Sequence, residues 1–152
     1  MKKILFVMLL SISMIGALQA QIRKVPAEVT NSLKAKYPSA TNVEWKDKLT
    51  GFDASFKDND ADMTVSFNNK GEWTKTEKGI AASETPAAVM DGFKKSKYSS
   101  PADWKMGETV TVVTKEDKST LYRVYVDKVD GIQKKYLFFA PSGKLEKESL
   151  TL

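Results

Sequence analysis

The sequence contains no histidine and no cysteine. That removes Ser-His and Cys-His nucleophilic systems, imidazole acid–base catalysis and nearly every zinc or copper site. A serine nucleophile could instead use a lysine base, but no Ser-x-x-Lys spacing occurs. Paired carboxylates are the chemistry that remains, since 19 acidic residues are present. They fall at alternating positions beside lysines, as in Lys115-Glu116-Asp117-Lys118 and Lys144-Leu145-Glu146-Lys147-Glu148, which is the pattern of a solvated surface. The expectation is a protein that is not an enzyme. A carboxylate hydrolase is the weakest of the alternatives.

One tract has the spacing of a metal loop. Asp58-Asn59-Asp60-Ala61-Asp62 places acids at the first, third and fifth positions of a calcium loop. The sixth position, where the sharp turn needs glycine, is Met63, and the twelfth, where a bidentate glutamate belongs, is Asn69. A hairpin turn between two strands accounts for the tract, so no metal site is expected. Gly51, Gly71, Gly131 and Gly143 stand singly at predicted turns and make no phosphate loop. No cofactor is expected either.

The elements that would position a site fall into two similar halves. Val25-Pro26-Ala27-Glu28-Val29 opens one helix and Thr85-Pro86-Ala87-Ala88-Val89 opens another, each with proline at the expected first helical position. Val25, Val29, Leu33 and Tyr37 lie four apart and form one apolar stripe; Val89 and Phe93, with Met90, repeat it. Pro38 and Pro101 follow the two helices. After each helix the apolar period changes to two, the signature of strands. In the first half Val43/Trp45, Phe52/Ala54/Phe56 and Met63/Val65/Phe67 alternate with polar residues, and a turn at Asn68–Gly71 leads into Glu72–Lys78. In the second half the strands are Thr109–Thr114, Leu121–Val129, Lys134–Ala140 and Lys144–Ser149, with a turn at Pro141-Ser142-Gly143.

The fold class is therefore α+β: two repeats of one helix plus a four-stranded antiparallel β-meander, over residues 21–82 and 83–152, together forming one unit. Packing the halves face to face or running one sheet through both would each complete the structure.

The alternation degrades in the second half. Tyr122, Val124 and Val126 make one face of a strand, with Arg123 and Tyr125 on the other; in the next strand Leu137 and Phe139 oppose Tyr136 and Phe138. Two apolar faces mean either burial between the halves or an exposed sheet. The sharper expectation is a partner-binding face built from Tyr125, Tyr136 and Phe138, since aromatics anchor interfaces.

Residues 1–20 read as a secretory signal peptide. Lys2 and Lys3 form the basic region, Ile4 to Ile15 is apolar apart from Ser11 and Ser13, and Leu18-Gln19-Ala20 predicts cleavage after Ala20. The apolar run is shorter than the roughly 20 residues of a membrane span, and without cysteine there is no acceptor for a lipid anchor. Removing 20 residues from 152 leaves 132, enough for one domain. Loss of the two signal lysines leaves 22 basic residues against 19 acidic ones, a mature charge of +3. There is no basic stripe of the kind nucleic-acid binding needs. The expected product is periplasmic or secreted, with no nucleic-acid partner and no membrane attachment after cleavage.

Val25-Pro26, Tyr37-Pro38-Ser39-Ala40, Val43-Glu44-Trp45, Phe52-x-Ala54-x-Phe56 and Val65-x-Phe67-x-x-x-Gly71-x-Trp73 resemble the PepSY-like family of secreted Bacteroidetes proteins, also described as β-lactamase-inhibitor-like. The resemblance is strong to about Ile80 and looser beyond it. It departs from the family pattern at Pro101-Ala102-Asp103-Trp104, which puts the first strand of the second half in question. It implies a periplasmic or secreted, non-enzymatic α+β protein with duplicated helix-plus-sheet units. The motif consists of core and turn residues, so no inhibitory residue is carried over. The functional expectation is a binding module with an unidentified periplasmic protein as partner, inhibitor-like in its mode. The alternative is a carrier of a small molecule or peptide with a pocket between the repeats.

Overall fold

Each helix is an amphipathic segment too short to persist alone, so it exists by burying one stripe on a sheet. In the computed structural model, which describes residues 23–150, these are α1 (Ala27–Lys36) and α2 (Ala87–Lys94). The predicted signal peptide lies outside the described residues. Pro26 and Pro86 sit one position ahead of the expected place. Their φ of −61° and −53° suits a helix, but ψ of 152° and 139° keeps them extended, as capping residues. Their carbonyls accept the Thr30 and Met90 N–H groups and so begin the helical ladder. Val29 and Leu33 on α1, and Val89 and Phe93 on α2, are buried as their spacing requires. Full burial of one such side chain contributes roughly 1.5–3 kcal/mol.

The strands are β1 (Glu44–Lys48), β2 (Gly51–Asp58), β3 (Ala61–Asn68), β4 (Trp73–Ala81), β5 (Trp104–Lys115), β6 (Thr120–Lys128), β7 (Lys134–Phe139) and β8 (Leu145–Leu150). They form a single 8-stranded sheet in chain order, antiparallel throughout. Of the two completions left open by the sequence, one sheet runs through both halves. The seam is β4 on β5, in register from Lys75↔Lys115 to Ala81↔Thr109. The outer strands β1 and β8 are short and carry Lys46, Asp47, Lys48 and Glu146, Lys147, Glu148.

The first strand of the second half does form, and it is longer than predicted. β5 begins at Trp104, and the register breaks between Met106 and Val110, so the irregularity hides the first part of the strand from a period-two reading. The acidic tract is the β2–β3 hairpin turn. Asn59 (φ 47°) and Asp60 (φ 65°) occupy the two left-handed positions of a two-residue loop closed by Asp58↔Ala61.

Both helices pack on the same sheet face. Val29 and Leu33 meet Phe52, Ala54, Phe56, Met63, Val65 and Phe67. Val89 and Phe93 meet Val110, Val124, Val126, Leu137 and Phe139, with Tyr98 completing the second core. The duplication extends to detail. Tyr37 after α1 shares a hydrogen bond with Thr76 on β4 (3.2 Å), and Tyr98 after α2 donates to Glu148 on β8. The last hairpin of each half carries a bulge, between Ser66 and Phe67 and between Phe138 and Phe139.

The glycines that turn these hairpins, Gly71 (φ 80°) and Gly143 (φ 85°), are pressed against the helices of their own halves. A Cβ on Gly143 would lie 2.0 Å from the Ala88 carbonyl oxygen, and one on Gly71 2.9 Å from that of Glu28. Replacing Gly143 with alanine combines left-handed strain with overpacking and should destabilise the protein by about 2–4 kcal/mol in urea unfolding. The control is Gly131→Ala, where the nearest neighbour of the new methyl is the flexible Lys128 side chain at 3.4 Å. That change should stay within about 0.5 kcal/mol. Equal effects at the two positions would refute this account of the turn.

Candidate functional site

With both helices on one face, the other face of the sheet is left without a helix among the described residues. Register assigns its occupants, because directly paired residues of an antiparallel sheet project to the same side. Tyr125 pairs with Tyr136 across β6 and β7, Arg123 with Phe138, and Phe138 in turn with Lys147 on β8. The structure thus brings Tyr125, Tyr136 and Phe138 together on the open face. All three are half-buried. The Tyr125 and Tyr136 rings are 5.7 Å apart and tilted by 58°, a favourable aromatic geometry. The two halves meet edge to edge, so burial between them does not cover this face.

Arg123 is the residue that the sequence reading placed on this face without assigning it a role. Its guanidinium carbon lies 5.0 Å from the centre of the Tyr136 ring, a cation–π arrangement. Its Nη2 donates to Glu77 Oε2 at 2.7 Å, reaching across β5 to the first half. Lys75 Nζ donates to the other Glu77 oxygen at 2.6 Å. Burial pushes the Glu77 carboxyl up; the Lys75 hydrogen bond and charge, joined by the Arg123 charge, more than offset this and hold it below its ordinary value. Val113, the register partner of Glu77 and Leu121, is 6% exposed in this cluster. Arg123 Nε is buried without a hydrogen-bond partner. Lys147 Nζ sits 5.8 Å over the Phe138 ring.

The open face of the first half differs in kind. Ser66 donates to Asp53 (2.7 Å), Lys48 pairs with Asp53 (3.3 Å), and Ser55 shares a hydrogen bond with Thr64 (3.2 Å). These polar groups satisfy one another. At the seam, a groove of about 690 Å³ is lined by Asp62, Lys78, Ile80, Glu84, Glu108 and neighbours. It is open to solvent, because edge-to-edge joining leaves no interior between the repeats. Among the described residues no three acid side chains converge on one point.

This sheet with its two helices recurs in solved structures. A "putative periplasmic" protein from Bacteroides eggerthii is 26% identical with a TM-score of 0.75, the match covering 84% of this chain and 90% of that one. A DUF2874 family protein from Bacteroides uniformis is 27% identical with a TM-score of 0.76, at 84% and 90% coverage. A BLIP-like protein from Bacteroides fragilis is 25% identical with a TM-score of 0.72, at 84% and 87%. The sequence profile described as "Putative beta-lactamase-inhibitor-like, PepSY-like" matches residues 50–147. The chain belongs to this PepSY-like family. No curated protein matches it significantly. The profile spans β2 through the first half of β8 and leaves out α1 and β1, so the looser second half lies almost wholly within the PepSY-like pattern.

The Glu77 cluster makes a pH prediction. A lowered folded pKa contributes stability above the unfolded value, about 4.3, and that contribution is lost as pH falls through the folded value. Glu77→Gln should cost about 1–2 kcal/mol at pH 7 by leaving Arg123 and Lys75 without their acid. Urea unfolding curves of variant and parent should converge as pH falls below about 4. A gap that stays constant from neutral to acid pH would show that ionisation of Glu77 is not its source.

Proposed function

We propose that this PepSY-like protein is exported and acts without catalysis, holding a protein partner on the open sheet face of its second half. The observation that carries the reading is the half-exposed aromatic group Tyr125, Tyr136 and Phe138, braced by Arg123 on a face without a helix. Rings held by strand pairing lose little freedom on docking, and they present apolar area beside hydroxyl and cationic groups. Fold alone does not assign function. The proposal therefore rests on this face and not on what β-lactamase-inhibitor-like relatives bind. The absence of histidine and cysteine supports a role without catalysis. Export is supported by the Lys2-Lys3 and Ile4–Ile15 pattern, and by the "putative periplasmic" description of the Bacteroides eggerthii relative.

Two measurements test the proposal. Expressed in a Gram-negative host, the protein should appear in the periplasmic fraction and begin at Gln21 on N-terminal sequencing; protein that stays in the cytoplasm with Met1 retained overturns export. Crosslinking to an envelope extract of its own host should recover a specific protein, and Tyr136→Ala or Phe138→Ala should reduce recovery about tenfold. Recovery that ignores both substitutions excludes this face.

A further inference from the structure

The charge on the open face is divided unevenly between the halves. On β1–β4 it is neutralised internally: Lys48 pairs with Asp53 (3.3 Å), Lys57 with Asp62 (2.9 Å) and Lys75 with Glu77 (2.6 Å), while Glu44 stands beside Lys46. On β5–β8 the register places Lys105, Lys115, Arg123, Lys134 and Lys147 against one acid, Asp127; Glu108 falls in the β5 irregularity and Glu146 in the β8 bulge. Arg123 already shares Glu77. Lys105, Lys115, Lys134 and Lys147 make no ion pair among the described residues. The duplicated halves thus have the same backbone plan with different outer faces. One is self-neutralised and polar, and the other is aromatic with a surplus of cations.

Resting on the reading above, we infer that the partner surface held by this face is acidic: a protein segment with carboxylates flanking an apolar anchor. The anchor packs on Tyr125, Tyr136 and Phe138. The carboxylates meet Lys147 and the cations along β5 and β7. A second copy is the wrong occupant, because it would bring the same surplus of cations against itself. Complementary charge would mainly speed encounter and set partner choice, while the rings supply most of the holding energy.

The test is to pan a displayed library of short random peptides against the full chain, then measure selected peptides one by one. Asp and Glu should be enriched, and Kd should rise about tenfold with Tyr136→Ala and with Lys147→Glu, an exposed position where folding is not at risk. Affinity should fall as salt is raised from about 50 to about 500 mM. Lys34→Glu, on the exposed side of α1, should change little. If the peptides answer to Tyr136→Ala but show no acidic enrichment and ignore Lys147→Glu, the aromatic face stands and the acidic partner is wrong. If Lys34→Glu weakens them as much as Lys147→Glu, net charge is responsible and the inference also fails. If none responds to Tyr136→Ala, the reading of the face itself falls. Tighter, Tyr136-dependent binding of single-stranded oligothymidylate would overturn the choice of a protein partner.

Discussion

Everything in this molecule follows from the backbone pairing of β4 with β5. A four-stranded meander with one helix buries a single sheet face and leaves an unpaired edge at each end. Joining the two meanders along one edge converts two marginal units into one sheet, with Lys75 to Ala81 in register with Thr109 to Lys115. Since each helix returns to the same side, the seam also determines which side stays open. The Arg123–Glu77 ion pair then reaches across β5 from the second half to the first.

Much of this arrangement is written in local chemistry. The stripes of α1 and α2, the alternation on β2 and β3 and the glycine turns at Gly71 and Gly143 each need particular residues at particular spacings, so they were legible. Edge-to-edge joining was not, because strand neighbours are chosen by N–H and C=O groups that every residue shares. At the seam the paired side chains include Lys75 with Lys115 and Lys78 with Val112, which advertise no preference for each other. The start of β5 was lost for a different reason. Glu108 takes the position of the apolar phase between Met106 and Val110, and β5 advances four residues there against two on β6, so Trp104 and Met106 are cut off from the alternating run that Val110 opens.

The candidate face was legible as rings and illegible as a network. Tyr125, Tyr136 and Phe138 stand out because apolar residues occupy both sides of neighbouring strands. Arg123 does not stand out, since a single arginine on a strand is ordinary. Its significance depends on Glu77, which is 46 residues away in the sequence and becomes a neighbour only through the seam. A residue whose partners come from another copy of the repeat cannot be recognised from its own copy.

The duplication also raises a question of termination. A sheet that has grown once by adding a copy of itself could in principle accept a third copy, or another molecule, at either end. β1 and β8 are short, and their side chains include Lys46, Asp47 and Lys48 at one end and Glu146, Lys147 and Glu148 at the other. An incoming strand would have to desolvate those charges for a brief run of backbone bonds. The same fold that was built by lateral extension therefore carries its own stop signals, and these keep a repeating architecture finite.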